Sequence, residues 1–405
     1  MEYHLHTLSN GLKLAFKPDN TPVTYCGMVM NVGSRDEMPN QQGMAHFVEH
    51  LLFKGTQKRR SGHIINRLEN VGGELNAFTA KEETVVYATL LNEHAEKAIE
   101  LIGDIVFHST FPQKEIDKER VVIIDEIQSY KDSPAELIFD EFEDIVFDYP
   151  IGHNILGDID LLSQYQTEDV KAFVQQFYLP QEMVFFVWGD LAENKLLRWA
   201  EKYLTDIDTR KNGYIRQQPA DYKAGNLLVE KDTFQLHHMV GNRAFNLHHP
   251  DRMGMYLLNN ILGGPGMSSL LNLSLREKHG LAYSVDSFYQ PLSDTGVWSV
   301  YYGCDEENFK KCDRLVKQVL KKLRDEKLSE NQLQKYKVQL IGQLTIMMEN
   351  KENRAINFGK SILRYGKLDA LSQLQESIKA ISAHDLQRIA NEVFSDTNLS
   401  SLTYR

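Results

Sequence analysis

Two histidines four residues apart, with a glutamate between them, are the residues of this chain best suited to hydrolytic chemistry. They lie in the segment His46-Phe47-Val48-Glu49-His50. At 3.6 residues per helical turn, His46 and His50 project from one face, and two imidazoles at that spacing suit a tetrahedral zinc ion. Glu49 lies beside them, where a carboxylate can take a proton from zinc-bound water. The pentapeptide therefore predicts a metal-dependent hydrolytic site.

The same five residues can also arise by chance on the exposed face of an amphipathic helix. The flanking sequence favours a buried helix instead, because Met44-Ala45 precedes the motif, Leu51-Leu52-Phe53 continues its apolar pattern, and Gly55 suits a helix stop. On a buried helix, two histidines and a carboxylate are desolvated at a cost unless they pair or bind a metal. The setting therefore favours metal ligands.

A zinc site needs a third protein ligand and an open position for water. Glu126 is the best candidate, because it lies in a predicted helix that begins near Pro112 and has Glu119 seven residues earlier on the same face. The apolar run Val121 to Ile124 lies between the two glutamates. By spacing alone, a solvated acidic helix face is the alternative interpretation.

The motif His-x-x-Glu-His, followed by a glutamate 76 residues after His50, resembles the pitrilysin or insulinase-like family of inverzincin metallopeptidases. The similarity is greatest to its short branch, which includes bacterial processing-type peptidases and the mitochondrial processing peptidase β subunit. The resemblance implies that His46, His50 and Glu126 hold one Zn²⁺ per chain. It also implies that Glu49 is the catalytic base of an endopeptidase and that Glu119 orients a zinc ligand.

Residues 72–88 also resemble the family, and their alternating, β-branched pattern predicts a strand pair with an exposed edge. An edge strand can bind an extended peptide through main-chain hydrogen bonds. The resemblance implies that Asn76 and Ala77 hold the substrate backbone there. An ordinary paired strand beside the turn at Gly72-Gly73 is the alternative.

A third segment that resembles the family, 276–285, implies that Arg276 and Tyr283 contact the substrate near the zinc ion. A guanidinium and a phenol can donate hydrogen bonds to a peptide carbonyl oxygen as it gains negative charge. A surface arginine and a buried tyrosine are the alternative. The glycines of the preceding segment 263–269 lack the Lys-Ser/Thr ending of a nucleotide-binding loop, which favours a structural or peptide-facing turn.

Length and composition predict more than one domain and limit the class of partner. The chain has 405 residues, 42% of them apolar, and a formal net charge of −11, which argues against nucleic acid as a partner. The apolar runs are too short to cross a membrane, and the first residues predict neither a secretory signal nor a presequence. Cys26, Cys304 and Cys312 form no Cys-x-x-Cys pair, which favours reduced thiols. We therefore expect a cytoplasmic enzyme.

The two halves of the chain look like diverged copies of one α+β fold. Gly43-Met44 matches Gly254-Met255, and Thr167 to Val170 matches Ser382 to Leu386 at a similar offset. We predict two homologous domains, each a mostly antiparallel sheet packed with helices on one face. The expected boundaries are a catalytic domain at 1–207, a linker at 208–226, and a domain without metal at 227–405. In the second copy, Leu257, Asn260 and Ile261 stand in place of the motif.

Long members of the family carry four such domains around a closed chamber, and this chain has length for two. The resemblance therefore implies a homodimer in which Arg276 and Tyr283 of one chain complete the zinc site of the other. It also implies substrates that are unfolded peptides or flexible segments. The alternatives are a catalytically silent structural or binding subunit and the active subunit of a heterodimeric processing peptidase. The physiological substrate, cleavage preference and regulation are not predicted by the sequence.

Overall fold

The structure is a computed structural model that describes residues 3–207, 209 and 214–405. The strands are β1 (His4–Thr7), β2 (Lys13–Pro18), β3 (Val23–Met30), β4 (Glu74–Thr79), β5 (Thr84–Leu91), β6 (Met183–Gly189), β7 (Asn226–Val229), β8 (Leu236–Arg243), β9 (Ala282–Pro291), β10 (Gly296–Cys304) and β11 (Ser400–Tyr404). The helices are α1 (Met44–Leu52), α2 (Ser61–Glu69), α3 (Ala95–His108), α4 (Gln113–Lys131), α5 (Pro134–Phe147), α6 (Ile159–Leu162), α7 (Thr167–Phe177), α8 (Glu193–Tyr203), α9 (Arg252–Gly263), α10 (Phe309–Asp325), α11 (Glu330–Met347), α12 (Lys351–Tyr365), α13 (Leu371–Ala380) and α14 (Ala383–Val393).

The chain forms two compact units. The first consists of Met1–Ile127, Asn154–Gln217 and Met348–Leu368, and its strands form one sheet in the order β1-β2-β6-β3-β5-β4. In this sheet β2 and β6 run parallel, and the other neighbouring pairs run antiparallel. Helices α1, α3, α7 and α8 contribute apolar side chains to the core on one face of the sheet.

The second unit consists of Gln128–His153, Gln218–Met347 and Asp369–Arg405, and its sheet has the order β7-β11-β8-β10-β9. Here β7 and β11 run parallel and the other neighbouring pairs antiparallel. Helices α9, α10 and α14 cover one face. The side chains that α10 buries recur every three or four residues, as an amphipathic helix requires: they are Cys312, Val316, Leu320 and Leu323.

The two sheets share one topology, which confirms the predicted α+β fold with an internal repeat. From β2 to β4, the first sheet has the same strand order and the same parallel and antiparallel pairing as the second. In both, a helix (α1 or α9) follows the second strand of the repeat (β3 or β8). A longer helix (α3 or α10) follows the hairpin formed by β4 and β5 or by β9 and β10. The two glycines that the sequence comparison matched lie at different places in their helices. Gly43 precedes α1 with a positive φ, whereas Gly254 lies inside α9.

The second face of each sheet is covered by one helix that comes from the other half of the chain. In the first unit, α12 buries Ala355, Phe358 and Ile362 against the sheet. In the second unit, α5 buries Ile138 and Phe142 in the same way. The expectation of helices on one face was therefore incomplete. Strands β6 and β10 are buried along their whole length, because each has apolar residues facing both sides.

Gly359 shows how closely α12 lies on the first sheet. A Cβ atom at this position would lie 2.5 Å from the ring of Phe186 and 2.9 Å from a methyl group of Val29. A larger residue would therefore push the helix off the sheet. Glu83 holds the same helix through ion pairs with Lys360 and Arg364, the latter at 2.7 Å.

The predicted linker at 208–226 and the domain boundaries beside it stay predictions. Residues 208 and 210–213 of that linker lie outside the described residues, and 214–225 form no helix or strand. Arg216 in this segment donates two hydrogen bonds of 2.8 Å to the buried carboxylate of Asp36 in the first unit. Of the helices that the structure describes, none is both long and apolar enough to cross a bilayer.

Candidate metal centre

Helix α1 is held at its N-terminus by a carboxylate from outside the helix. Gly43, just before the helix, has a φ of 87°, and Glu37 accepts hydrogen bonds from the backbone N–H groups of Gly43 at 2.9 Å and Ala45 at 2.8 Å. Those N–H groups have no partner within a helix, and a negative charge there also favours the helix dipole. A Cβ at Gly43 would lie 2.6 Å from the carbonyl oxygen of Leu156. Glycine is required at this position by both backbone conformation and space.

The two histidine rings of α1 lie side by side, with their centroids 4.6 Å apart. His46 is buried, and burial lowers its pKa to about 3, with a smaller contribution from the nearby His50. Its imidazole is therefore neutral at physiological pH, and a neutral imidazole has the free lone pair that a metal requires. The spacing of the motif places both rings on one face, as the helical period demands.

Helix α4 brings both predicted glutamates to the histidines. It buries one stripe, consisting of Ile116, Glu119, Ile123 and Ile127. Glu126 lies at the edge of this stripe with 45% of its side chain exposed, and its Oε2 is 3.9 Å from His46 Nε2 and 3.8 Å from His50 Nε2. The donor atoms of the three residues all lie within 4.8 Å of one another. We name this group the α1–α4 triad.

Glu119 contacts His50 on the ring nitrogen that faces away from Glu126. Its Oε2 is 3.3 Å from Nδ1 of His50, and its Oε1 accepts a 2.8 Å ion pair from Lys54. A carboxylate at Nδ1 holds the proton on that nitrogen, so the lone pair of His50 lies on Nε2, which faces Glu126. The positive charge of Lys54 offsets the burial of the Glu119 carboxylate. The Nδ1 atom of His46 is buried and makes no hydrogen bond to the described residues.

The donor set and its spacing fit a zinc ion. Two imidazole nitrogens and one carboxylate oxygen are a common catalytic zinc set, and at bond lengths near 2.1 Å tetrahedral donors lie about 3.4 Å apart. The histidine to Glu126 distances of 3.8 and 3.9 Å are longer than hydrogen bonds and slightly longer than that spacing. Because Glu126 is half exposed, its side chain can move inward by the difference.

Glu49 lies on the same helix and is hydrogen bonded to the edge strand. Thr79 Oγ1 donates a 2.7 Å hydrogen bond to its Oε2. Burial raises the pKa of Glu49, and the hydrogen bond from Thr79 lowers it by less. A raised pKa brings a carboxyl group nearer to the range in which it can both accept and return a proton. Glu49 therefore suits a general base better than a structural ion pair.

The predicted peptide-binding residues lie on β4, which is one of the two edge strands of the first sheet. Asn76 and Ala77 pair with β5 on one side, and β4 has no further strand of the described sheet on the other. A cavity of about 420 Å³ adjoins them. The residues that line it are Glu49, His50, Phe53, Lys54, Ile65, Glu69, Leu75, Asn76, Ala77 and Glu119. An edge strand, the candidate base and a cavity with both apolar and charged walls are thus neighbours.

Arg276 and Tyr283 belong to the second unit. Arg276 lies in a π-helical segment, Asn272–Glu277, with half of its side chain exposed, and its nearest ion pair is a loose one of 3.9 Å to Glu277. Tyr283 is 85% exposed near the start of β9, which is one of the two edge strands of the second sheet. Tyr283 is thus exposed, where the alternative from the sequence was a buried tyrosine.

Three residues around the triad were missed by the sequence analysis: Glu37, Lys54 and Thr79. Lys54 lies just beyond the end of α1 and pairs with Glu119 on α4, so its role depends on how these segments pack. Thr79 lies two residues after Ala77 and so faces the same side of β4. For Glu37, no signal in the sequence points to its capping role.

Two family models match the chain. The model described as insulinase, peptidase family M16, matches residues 13–158, which include the α1–α4 triad. The model described as peptidase M16 inactive domain matches residues 165–340, in the half where α9 takes the place of α1. The two matches agree with the repeat of the fold and with the presence of the histidine motif in the first half alone.

Similar proteins agree with these matches. A protein of Rickettsia felis named uncharacterized zinc protease is 31% identical over 99% of this chain and 97% of its own length. The uncharacterized zinc protease YmxG of Bacillus subtilis is 28% identical over 96% and 95%. A protease of Helicobacter pylori superposes with a TM-score of 0.91 at 25% identity, covering 100% of this chain and 99% of that one. The chain belongs to the M16 family of insulinase-like peptidases, in its short two-domain branch.

Proposed function

We propose that the protein is a zinc-dependent endopeptidase, with one zinc ion per chain held by His46, His50 and Glu126. The observation that carries the proposal is the convergence of these three side chains beside Glu49. Relatives of the chain over nearly its whole length are named zinc proteases, which supports the choice of metal. A silent subunit would not require a buried helix to keep two histidines and a carboxylate on one face.

The residues of the chain take distinct roles in peptide hydrolysis. A zinc ion held by His46, His50 and Glu126 would supply Lewis acidity, which would lower the pKa of water at the site and polarise the substrate carbonyl. Glu49 takes the proton from the attacking water and later returns it to the leaving amine. Thr79 keeps the Glu49 carboxylate in one orientation through its hydrogen bond. Glu119 fixes the tautomer of His50 and is itself balanced by Lys54.

The substrate adds to the first sheet as an extended strand. Asn76 and Ala77 on β4 supply main-chain groups for hydrogen bonds to the peptide backbone, which demand little of its sequence. The neighbouring cavity, with Phe53, Ile65 and Leu75 among its walls, accepts an apolar side chain. Because a folded protein does not offer a free extended strand, unfolded peptides and flexible segments are the preferred substrates.

Arg276 and Tyr283 complete the site from a second copy of the chain in a homodimer. The exposure of both side chains supports this proposal, since each is available to a partner or a substrate. Their donors stabilise the carbonyl oxygen as it gains negative charge. Mixing Glu49→Gln chains with Arg276→Ala chains tests the arrangement: mixed dimers regain part of the activity if the site is shared. Complete failure to regain activity contradicts the shared site.

The test of the function is zinc content together with cleavage of an unstructured basic peptide, measured for the native chain and for Glu49→Gln. The variant should keep stoichiometric zinc and lose at least about 100-fold in kcat, because a general base contributes at least that much. Glu115→Gln is the matched control, since Glu115 lies outside that cavity and pairs with Lys118 alone in the described contacts. Absence of zinc from the native protein would favour the silent subunit. Zinc without cleavage in either form would favour a heterodimer.

A further inference from the structure

We propose that His4, His6 and Glu193 form a second binding site, for a divalent transition-metal ion, on the surface of the first unit. Their donor atoms all lie within 4.8 Å of one another, which is the same criterion that the α1–α4 triad meets. The inference is independent of the proposed peptidase activity. We name this group the β1–α8 triad.

The strand geometry accounts for the convergence of the two histidines. His4 and His6 are two residues apart on β1, so the alternation of a strand points both side chains to one face of the sheet. Their backbone partners on β2 are Phe16 and Leu14. The ring of His4 lies against the buried ring of Phe16, with centroids 6.0 Å apart, which limits its orientation.

Glu193 supplies the third donor from the first position of α8. Its Oε1 lies 3.0 Å from Nδ1 of His4 and 2.7 Å from Nε2 of His6, so one oxygen atom contacts both rings. A carboxylate in the first turn of a helix is favoured by the helix dipole.

The distances fit a metal ion after a small change. Tetrahedral donors at zinc lie about 3.4 Å apart, so the two contacts to Glu193 must open by roughly half an ångström. All three side chains are about one-third exposed, with 35%, 33% and 33% of their surface accessible, and can make that movement. Solvent supplies the remaining ligand. Two imidazoles and a carboxylate suit Zn²⁺, Ni²⁺, Co²⁺ or Cu²⁺ and not Ca²⁺ or Mg²⁺.

A bound ion would join the edge of the sheet to a helix. Strand β1 is at the end of the sheet order and pairs with β2 through four residues. An ion held by both β1 and α8 therefore protects β1 from fraying. In the described part of the chain, His4 and His6 pair with no carboxylate other than Glu193, and all three side chains are more exposed than that of His46, so we expect weaker binding and no hydrolysis there.

Counting metal equivalents tests the proposal. Equilibrium dialysis against Co²⁺ should give two equivalents for the native chain, one for His4→Gln/His6→Gln and one for His46→Gln/His50→Gln. His108→Gln is the matched control and should keep two, because His108 pairs with a single carboxylate, Asp206. Glu193→Gln provides a second variant that changes neither histidine, and circular dichroism checks that each variant is folded.

Hydrogen exchange supplies a readout apart from stoichiometry. In the His46→Gln/His50→Gln background, adding Zn²⁺ should slow exchange at least about fivefold in the amides of β1, and the further change Glu193→Gln should remove that effect. The proposal is overturned if His4→Gln/His6→Gln binds as many equivalents as the native chain. It is equally overturned if the His46→Gln/His50→Gln protein binds none.

Discussion

Each half of the molecule links a helix to an edge strand through one side-chain hydroxyl, but the two links differ in chemistry. In the first half, Thr79 on β4 donates a 2.7 Å hydrogen bond to Glu49 on α1. In the second half, Ser287 on β9 donates a 2.6 Å hydrogen bond to Asn259 on α9. Strands β4 and β9 occupy the same place in their sheets. The two hydrogen bonds do not occupy matching positions of the repeat, because Asn260 and not Asn259 stands in the place of Glu49. The carboxylate at the link is what distinguishes the first half.

The surroundings of the two links differ more than the links themselves. The Asn259 amide also donates a 3.1 Å hydrogen bond to the Ser287 carbonyl, and Trp298 Nε1 donates a 2.9 Å hydrogen bond to the Ser287 hydroxyl. Both the hydroxyl and the amide therefore make more than one hydrogen bond. On α9 the neighbouring positions Leu257 and Ile261 are buried apolar side chains. The second half thus uses the helix face for packing. The first half places polar groups there and needs an ion, or paired carboxylates, to offset their burial.

The largest expected effect comes from giving α1 the residues of α9. The double change His46→Leu/His50→Ile should abolish peptide cleavage and metal binding at the α1–α4 triad, because two of three ligands are removed. The metal-free protein should be as stable as before or more stable, since apolar groups replace buried polar ones. Zinc content and the urea midpoint of metal-free protein check both parts. Retained cleavage would mean that the triad is not the catalytic site.

The next effect concerns α12 and α5, the two helices that each cover the second face of a sheet formed mainly by the other half of the chain. Phe358 on α12 and Phe142 on α5 are both fully buried, so Phe358→Ala and Phe142→Ala should each destabilise by about 3–5 kcal/mol. Hydrogen exchange should locate the loss of protection in β6 for the first and in β11 for the second. Val338→Ala, at an exposed site on α11, is the control and should change little. Equal loss in both sheets from either variant would show that the sheets unfold as one.

An intermediate effect should follow from Glu119→Gln. An amide holds the tautomer of His50 less firmly than a carboxylate and leaves Lys54 without its ion pair, so zinc affinity should fall about 10- to 100-fold. Chelator competition measures this, and saturating zinc should restore most of kcat. Glu115→Gln, one turn earlier on α4, is the control because Glu115 pairs with Lys118 alone in the described contacts. A loss that zinc cannot restore would place Glu119 in the chemical step.

The features that the sequence predicted are mostly those that lie within one element. His46, Glu49 and His50 share a helix, so their relative placement follows from its period. The partners Thr79 and Lys54 could not be assigned, because each pairing depends on how separate elements pack. The packing of α5 and α12 against the sheet of the other half likewise depends on tertiary structure. An amphipathic helix pattern shows that one face is buried, but it does not show which sheet covers that face.

The sequence of one strand did indicate that helices cover both faces of the first sheet. Residues 183–189, Met-Val-Phe-Phe-Val-Trp-Gly, do not alternate between apolar and polar, and β6 is buried on both sides. Such a run is typical of a strand covered on two faces. The pattern is inconsistent with a sheet that has helices on one face, and it could have corrected that expectation. The identity of the covering helix still required the structure.

The smallest expected effect on activity tests whether the hydrogen bonds of Thr79 and Ser287 have different roles. Thr79→Val removes the hydrogen bond to Glu49 and should lower kcat by about tenfold or less with zinc content unchanged, because a bond to a charged group contributes about 1.5–3 kcal/mol and only part of it is specific to the transition state. Thr79→Ser keeps the hydroxyl and should retain activity. Ser287→Ala should instead leave kcat unchanged and lower stability by about 1–3 kcal/mol, since Trp298 Nε1 and Asn259 lose a buried partner. If Thr79→Val and Ser287→Ala both changed stability alone, the link in the first half would be structural too, and the carboxylate of Glu49 would act without help from β4.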